Sequence, residues 1–284
     1  MSEVAIRVSG LHKTYQGKAA VDGLDLTVDR GEVFSLLGPN GAGKSTTVEI
    51  LEGYRSRDGG DVAVLGHDPA KATAEWKSRI GIVLQRVDDL AQSSELTVRE
   101  WVGSVAAYFP DPMRPDDAIE LVGLAEKRDA RSSSLSGGQR RRLDVALGIV
   151  GRPELLFLDE PTTGFDPEAR RQFWGLIESL ADAGTTILLT THYLDEAERL
   201  ADRVGVINAG RILEVGPPAT LGGRASAAAT VRWIGPDGPH EQTTEEPTKV
   251  VLDLATRFDG EVPELVVERP SLEDVYLRMI GSPE

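Results

Sequence analysis

The sequence predicts an α/β fold, in which a parallel sheet flanked by helices is interrupted by a helical insertion. Three observations lead to this prediction. A buried strand, a glycine-rich loop and a helix follow one another over residues 32–52. Helix-periodic sequence broken by prolines occupies about residues 87–150. From Glu154 onwards strand and helix patterns alternate, which favours parallel strands joined by helices.

The individual elements follow from apolar periodicity, caps and turns. Two alternating runs near the start predict strands paired around Asp22-Gly23, and Thr97 with Glu100 forms the capping-box pattern that opens the insertion. Strands are predicted at 4–8, 20–28, 32–37, 61–65, 79–84, 155–158, 186–190, 204–208 and 211–215, the last two paired across Ala209-Gly210. Helices are predicted at 45–52, 97–109, 116–127, 137–150, 167–182 and 194–202.

Beyond about Leu221 the sequence changes character, which predicts domains at 1–221 and 222–284. Small residues at 225–229 are typical of a linker. Candidate strands follow at 229–234, 250–254 and 265–268, and a capped helix with one apolar face at 271–280. The second domain is therefore expected to be a small α+β accessory domain.

Composition narrows the classes of partner. The chain has 284 residues, 31 Lys and Arg against 46 Asp and Glu, and thus a formal charge of −15, which argues against nucleic acid as the main partner. It has no cysteine, so disulfide and thiolate chemistry are excluded. No apolar run approaches the ~20 residues that cross a bilayer. Any action on a membrane is therefore expected to pass through a partner that supplies the spanning helices.

A glycine-rich loop reads GPNGAGKST and satisfies the pattern G-x-x-x-x-G-K-[ST]. Its glycines permit positive φ angles and let successive backbone N–H groups converge on an anion at a helix start. Lys44 offers a cation to the β- and γ-phosphates of a nucleotide, and Ser45 offers a hydroxyl to Mg²⁺. The predicted phosphate-binding residues are Gly38, Pro39, Asn40, Gly41, Ala42, Gly43, Lys44, Ser45 and Thr46. The sequence thus predicts a nucleotide-binding protein.

A pair of carboxylates ends the apolar strand at 155–158, where Asp159 and Glu160 follow four large apolar residues. The first carboxylate can hold Mg²⁺ directly or through water, and the second can orient and deprotonate an attacking water. Many buried strands end in an acid, so the pattern alone is weak. The phosphate loop upstream favours the catalytic interpretation.

A second glycine turn, Leu135-Ser136-Gly137-Gly138-Gln139, opens the helix predicted at 137–150. With Ser136 as its cap and free N–H groups, this helix start is a second candidate anion site. A monomer gains little from it, unless it addresses a phosphate held by another copy.

The order of phosphate loop, Gln85, LSGGQ, LLFLDE, Asp166 and His192 resembles the ATPase subunit of an ABC transporter over about residues 4–220. LSGGQ after GPNGAGKST is the most specific part of this pattern. The resemblance implies a P-loop ABC ATPase core, with a mixed sheet flanked by helices, an antiparallel β subdomain and a helical subdomain at about 87–150. It also implies an active ATPase with ATP and Mg²⁺ as cofactors, because no residue essential to hydrolysis is replaced.

The same resemblance implies roles for residues of the hydrolysis site. Tyr15 would stack on adenine, and Gln85 would contact Mg²⁺ and the attacking water. Glu160 would be the general base, and His192 would bind the γ-phosphate and hold the water. The implied metal ligands are Ser45, Gln85 and Asp159.

Further implied roles concern a second copy of the chain. Ser136, Gly137 and Gly138, with Gln139, would bind the γ-phosphate of ATP held by the opposite subunit. The loop at Asp166 would communicate across a head-to-tail dimer that closes on two ATP and two Mg²⁺.

Three segments are similar to the daunorubicin/doxorubicin-resistance branch of exporters, namely 64–69, 191–198 and 270–277. This implies drug, lipid or antibiotic export through a separate polytopic transmembrane permease, with the ATPase held at the cytoplasmic face of the plasma membrane. The alternative for the tail is a generic regulatory or dimerising role.

Two other functions stay open at this point. An ABC importer would have the same catalytic core, so its ATPase subunit is the closer alternative. A soluble ABC protein acting on ribosomes or chromosomes is less favoured. The ribosomal kind resembles two cassettes in tandem, and the single cassette and the charge of −15 argue against it. The chromosomal kind carries a long coiled coil inside the cassette, whereas only about 50 residues without sustained heptads lie between Gln85 and Ser136.

Overall fold

The computed structural model describes residues 3–84 and 95–281 of the chain. The chain divides into two compact units, Met1–Leu213 and Glu214–Glu284. This division falls ahead of the boundary predicted after Leu221, and the assignment of two domains stays a prediction.

Strands and helices alternate along the first unit. The strands are β1 (Val4–Tyr15), β2 (Lys18–Asp29), β3 (Val33–Leu37), β4 (Gly59–Val64), β5 (Ile80–Val83), β6 (Leu155–Asp159), β7 (Thr186–Thr191), β8 (Arg203–Asn208) and β9 (Arg211–Gly216), which runs on into the second unit. The helices are α1 (Lys44–Leu51), α2 (Ala74–Lys77), α3 (Val98–Ala106), α4 (Pro115–Leu121), α5 (Gly137–Ile149), α6 (Pro167–Asp182) and α7 (Leu194–Leu200). Short 3₁₀ turns occur at Pro69–Lys71, Ala125–Lys127 and Ser132–Ser134.

The central sheet has the strand order β5-β6-β7-β3-β8-β9. Its pairs from β5 to β8 are parallel, and every residue of β3 and β7 is buried, as their continuous apolar runs predict. Parallel strands end at one edge of a sheet: Leu37 pairs with Thr191, and Asp159 pairs with Thr190. The loops that follow β3, β6 and β7 therefore meet at this edge.

A separate antiparallel sheet has the order β2-β1-β4, which makes the architecture mixed, as expected. β1 and β2 each extend over 12 residues, further than the runs predicted at 4–8 and 20–28. Their pairing has several register shifts. Such irregularities break the alternation of apolar and polar residues that a sequence pattern needs, which explains the short prediction.

The helical insertion shares its buried core with the central sheet, since Val102, Leu143 and Ile149 belong to the same apolar cluster as β6 and β7 residues. The helix predicted at 116–127 ends instead at Leu121, because Gly123 takes a φ of +68° and closes α4 in the manner of a helix-terminating glycine. α5 lies close to β5. A Cβ at Gly81 would come within 2.3 Å of the Gly148 carbonyl oxygen.

The second unit has a three-stranded antiparallel sheet of order β11-β10-β12. Its elements are a 3₁₀ turn (Leu221–Ser226), β10 (Ala229–Gly235), β11 (Gly238–Thr244), α8 (Pro247–Arg257), β12 (Val266–Glu268) and α9 (Leu272–Gly281). The strand predicted at 250–254 is wrong, because this segment lies inside α8. Proline at the first helical position and apolar residues at Val250, Val251 and Leu254 suit a helix that packs one face on the sheet.

Candidate functional site

The glycine-rich loop joins β3 to α1 and is tightly enclosed. Gly43, the N-cap of α1, has a φ of +106°, and a Cβ there would lie 2.4 Å from the Ala20 carbonyl oxygen. A Cβ at Gly38 would lie 2.3 Å from the Ile207 carbonyl oxygen. Glycine is required at both positions for space, and at Gly43 also for the left-handed backbone.

The start of α1 exposes backbone donors. Within the ranges that the structure describes, no acceptor is found for the N–H groups of Gly43, Lys44, Ser45 and Thr46. Ala42 donates to Pro39, and Thr47 is bonded back to Gly43, so the loop is held in shape while the intervening donors stay available. Four such N–H groups at the positive end of a helix form a site suited to an anion.

Lys44, the first residue of α1, is buried, with 5% of its surface exposed. Its Nζ donates to the carbonyl oxygens of Gly38 at 2.7 Å and Pro39 at 3.2 Å, and lies 3.7 Å from Glu160 Oε1. Burial lowers the pKa of Lys44, and the charges of Glu160 and Asp159 act against that shift. The ammonium group is thus placed between the loop and the carboxylates that follow β6.

The carboxylate pair stands at the end of β6, where Asp159 is the last strand residue and Glu160 follows it, and Thr190 of the neighbouring strand β7 contacts both residues. Thr190 Oγ1 donates to Asp159 Oδ1 and accepts from the backbone N–H of Glu160 at 3.0 Å. Burial raises the pKa of Asp159, and the hydrogen bond from Thr190 opposes this shift. Glu160 has a φ of +42°, a conformation that costs free energy in a residue with a side chain.

His192 follows β7 and points to the same place. Its Nδ1 lies 3.4 Å from Glu160 Oε2 without the geometry of a hydrogen bond, and this buried atom has no hydrogen-bond partner among the described residues. The His192 ring packs on Tyr193 at a centroid distance of 4.1 Å. The edge of the sheet therefore brings together Lys44, Asp159, Glu160 and His192.

The LSGGQ segment stands apart from this cluster. Ser136 caps α5 in a capping box, with Gln139 N–H donating to Ser136 Oγ at 3.3 Å and Ser136 N–H donating to Gln139 Oε1 at 3.1 Å. Ser136 and Gly137 are exposed. Across the described parts of the chain, no hydrogen bond or ion pair links Ser136 or Gln139 to the cluster at the sheet edge.

Three other predicted site residues have separate settings. Tyr15 ends β1, with Lys13 Nζ at 5.5 Å and the Arg55 guanidinium at 5.4 Å from its ring centroid. Asp166 caps α6 by accepting from two backbone N–H groups, at 2.9 and 2.8 Å. Gln85 lies outside the described residues.

The structure shows two buried polar residues that the sequence patterns did not predict. One is Thr190, one of two threonines that end β7 after three apolar residues. The other is Glu196 of α7, which is fully buried and accepts hydrogen bonds from Thr162 and Trp174. Burial raises the pKa of Glu196. Its position in an acidic helix start gave no sign that it is buried.

No helix of the described residues is both long and apolar enough to cross a membrane. In the same parts of the chain, no group of three or more His, Cys, Asp or Glu side chains is arranged to hold a metal ion.

Comparison with known proteins identifies the family. A family model described as ABC transporter matches residues 21–163. The daunorubicin/doxorubicin resistance ATP-binding protein DrrA of Streptomyces peucetius is 48% identical over 222 residues, 76% of this chain and 66% of DrrA. The Nod factor export ATP-binding protein I of Rhizobium meliloti (strain 1021) is 39% identical over 299 residues, 98% of this chain and 88% of that protein.

The structure of cbiO1 from Clostridium perfringens, part of the ABC transporter complex cbiONQ, is similar with a TM-score of 0.68. It is 28% identical, and the alignment covers 77% of this chain and 90% of cbiO1. The predicted fold class is thereby confirmed. The family match, the relatives and the shared fold agree with the motifs: the chain belongs to the ABC transporter family, as an ATP-binding protein that hydrolyses ATP.

Proposed function

We propose that this protein is the ATPase subunit of an exporter. Two copies form a head-to-tail dimer on two ATP molecules with Mg²⁺ and drive a separate transmembrane permease. The hydrolysis of ATP is supported by four side chains that meet beside the unpaired N–H groups of the glycine-rich loop. They are one cation, two carboxylates and one imidazole: Lys44, Asp159, Glu160 and His192.

In hydrolysis, the N–H groups at the start of α1 and the ammonium of Lys44 bind the phosphates and stabilise the charge that develops on them. Glu160 accepts the proton of the attacking water. His192, whose Nδ1 lies 3.4 Å from Glu160 Oε2, orients that water and the γ-phosphate. Tyr15 stacks on the adenine ring.

The residues present fit Mg²⁺. This ion prefers oxygen ligands, keeps several waters and is bound by one or two carboxylates together with substrate phosphates. The hydroxyl of the exposed Ser45 and the carboxylate of Asp159, whose Oδ1 is fixed by Thr190, are donors of this kind, and Gln85 would join them. When bound, the ion neutralises charge on the phosphates.

The dimer is supported by the second helix start. α5 presents an exposed glycine turn with a serine cap, and in the described parts of the chain neither Ser136 nor Gln139 is hydrogen-bonded to the hydrolysis site of its own chain. Such a helix start suits a phosphate, and the nucleotide that it meets would be held by a second copy. Ser136, Gly137 and Gly138 would then contact the γ-phosphate of that ATP, and the Asp166 loop would lie at the dimer interface.

Export is supported by the relatives, because one is named for daunorubicin and doxorubicin resistance and the other for Nod factor export. We infer a cargo of the drug, lipid or antibiotic class. The spanning helices belong to a permease, at whose cytoplasmic face this subunit works.

The test of hydrolysis is Glu160→Gln, which keeps the size of the side chain and removes the base. ATP turnover should fall by about a hundred- to ten-thousandfold, while ATP binding is retained and an ATP-bound dimer accumulates in size-exclusion chromatography. Glu178→Gln is the matched control, because Glu178 pairs with Arg199 on the exposed surface. Equal turnover of wild type and Glu160→Gln would remove Glu160 from the role of base.

The test of transport is purification of the tagged Glu160→Gln protein from detergent-solubilised cells. A polytopic membrane protein should co-purify. Recovery of ribosomes or DNA in its place would overturn the transport function and leave the ATPase activity standing.

A further inference from the structure

Three consecutive arginines on α5 have three different environments. Arg140 donates to the Leu135 carbonyl oxygen at 3.2 Å, and Arg142 donates to the side chain of Gln172. Arg141, between them, is buried, with 7% of its surface exposed. Only the middle one of the three is buried; successive side chains on a helix point in directions about 100° apart, so the three arginines reach different surroundings.

The guanidinium of Arg141 binds three backbone carbonyl groups at the edge of the central sheet. Nε donates to Pro161 at 3.0 Å, and a terminal nitrogen donates to Asp159 at 3.0 Å. The other terminal nitrogen donates to Leu84, the last described residue after β5. The Asp159 and Pro161 carbonyls belong to the residues on either side of Glu160, so one side chain holds the backbone before and after it.

Glu160 needs such a restraint. With a φ of +42°, it occupies a region that is unfavourable for a residue with a side chain and persists only where its surroundings fix it. Its own N–H lies 3.2 Å from the Thr190 carbonyl oxygen and 3.0 Å from Thr190 Oγ1. Thr190 therefore fixes the N–H of Glu160, and Arg141 fixes the carbonyl groups on both sides.

The fork of the guanidinium is suited to this task. Arginine presents five N–H donors in a rigid plane, whereas a lysine ammonium at the end of a flexible stem cannot reach three fixed acceptors in the same geometry. The positive charge is balanced inside the protein, because Asp144 lies 4.0 Å from Arg141. Burial lowers the pKa of Arg141, and the charges of Asp144, Asp159 and Glu196 oppose that shift.

We propose that Arg141 is a positioning residue for hydrolysis, which holds Glu160 in its left-handed conformation and aims its carboxylate at the attacking water. This inference rests on the proposed role of Glu160 as the base. Because Arg141 lies on the helix that Ser136 caps, it also ties the backbone of the base to the helix start that meets the partner's nucleotide.

The experiment compares Arg141→Lys with Arg142→Lys in the full chain. Both variants keep the charge of the helix, so in Arg141→Lys the carboxylate of Asp144 still has a positively charged side chain near it. For each variant, kcat, the Kd for ATP with EDTA present, and Tm are measured. Arg141→Lys should lower kcat by about tenfold to a hundredfold, because small misplacements of a catalytic group have effects of that size. Its Kd should change less than threefold, and Arg142→Lys should match wild type.

A second comparison separates positioning from general structural damage. In the Glu160→Gln background, Arg141→Lys should lower the residual turnover no further, because the group that it positions is already absent. An equal further loss in that background would show that Arg141 acts on something else. If Arg141→Lys does not fold, the pair Arg141→Gln with Asp144→Asn removes both buried charges together and is tested by the same measurements.

The outcomes separate this inference from the proposed function. If Arg141→Lys has the kcat of wild type while Glu160→Gln is inactive, the role of Arg141 is overturned and the role of Glu160 stands. A loss that appears entirely in Kd does the same. Wild-type turnover in Glu160→Gln overturns the proposed base and, with it, the reason for positioning it.

Discussion

The two glycine-rich helix starts of this protein, at α1 and α5, are built differently. α1 begins at Gly43, which offers no side-chain cap, and its first N–H groups have no acceptor among the described residues. α5 begins after Ser136, which forms a capping box with Gln139: each residue's backbone N–H donates to the side chain of the other. The first site is enclosed by neighbouring backbone, since the Ala20 carbonyl oxygen crowds Gly43. Around Gly137, by contrast, no described atom outside its own helix and chain neighbours lies within 4 Å of an added Cβ.

This difference has a consequence for the proposed phosphate-binding roles of the two helix starts. An uncapped helix start keeps its N–H donors free for a ligand that the same chain binds, and the enclosed glycines fix the direction in which these N–H groups point. A capped start is stable without a ligand, and its open surroundings leave room for a group that arrives from outside. The same residue type should therefore tolerate substitution very differently at the two positions.

The largest expected effect is that of Gly43→Ala. The new Cβ would meet the Ala20 carbonyl oxygen at 2.4 Å in a backbone conformation that disfavours side chains, so the loop must move. The Kd for ATP, measured by titration calorimetry, should rise more than a hundredfold, and Tm should fall. Gly137→Ala is the matched control. It should leave the ATP affinity of the monomer and its Tm near those of wild type.

If the Kd of Gly43→Ala for ATP stays within threefold of the wild-type value, the loop is not as tightly enclosed at Gly43 as the structure indicates. A Gly137→Ala variant that loses ATP affinity as a monomer would contradict the separation of the two helix starts.

The next effect concerns the cap of α5. Ser136→Ala should cost about 1 kcal/mol of stability, the usual loss for a helix cap, and should also lower ATP turnover in the dimer. Thr97→Ala removes the other capping box of the insertion, formed with Glu100, and should cost a similar amount of stability with no loss of turnover. Urea unfolding and a steady-state ATPase assay measure the two properties. Equal turnover in the two variants would indicate that Ser136 is only a cap.

The last expected effect lies at the other end of α1 and concerns stability. Burial raises the pKa of Glu52 to about 8, with contributions from Asp159 and Glu49. The folded protein therefore keeps a proton that the unfolded chain releases near pH 4.5, and the stability that this proton brings is lost as the pH rises from about 4.5 to 8. Glu52→Gln should remove this loss and be more stable than wild type at pH 8, with a difference in stability that grows between pH 5 and pH 8.

The measurement is Tm from pH 5 to 9, with EDTA and without nucleotide. Burial also raises the pKa of Asp144, to about 6, so both proteins should lose some stability with rising pH, and only the difference between them reports on Glu52. A difference that does not change with pH would show that Glu52 titrates normally in the folded protein.

Local sequence signals predicted much of the fold. The run of β3, glycine-rich loop and α1, the buried strand β6, and the helix α5 after LSGGQ all lie where the pattern indicated. Both capping boxes could be predicted from four-residue patterns. The errors have physical causes. Val250 and Val251 suit a strand by propensity, which predicts a strand where α8 lies, and tertiary packing of one helix face overrides such a preference. β11 was missed because its seven residues, GPHEQTT, include no large apolar side chain.

The site was predictable to the extent that its residues lie in local motifs. The sequence by itself determined the phosphate loop, the carboxylate pair after β6 and the two helix starts, because glycine, proline and cap residues act over three or four neighbours. Tertiary structure alone decided that Thr190 holds the N–H of Glu160, that Glu160 takes a positive φ, and that Arg141, and not its neighbours, turns inward to the carbonyls of Asp159 and Pro161. These contacts join backbone groups from different strands and helices, and a backbone carbonyl leaves no signature in the identity of the residue that bears it.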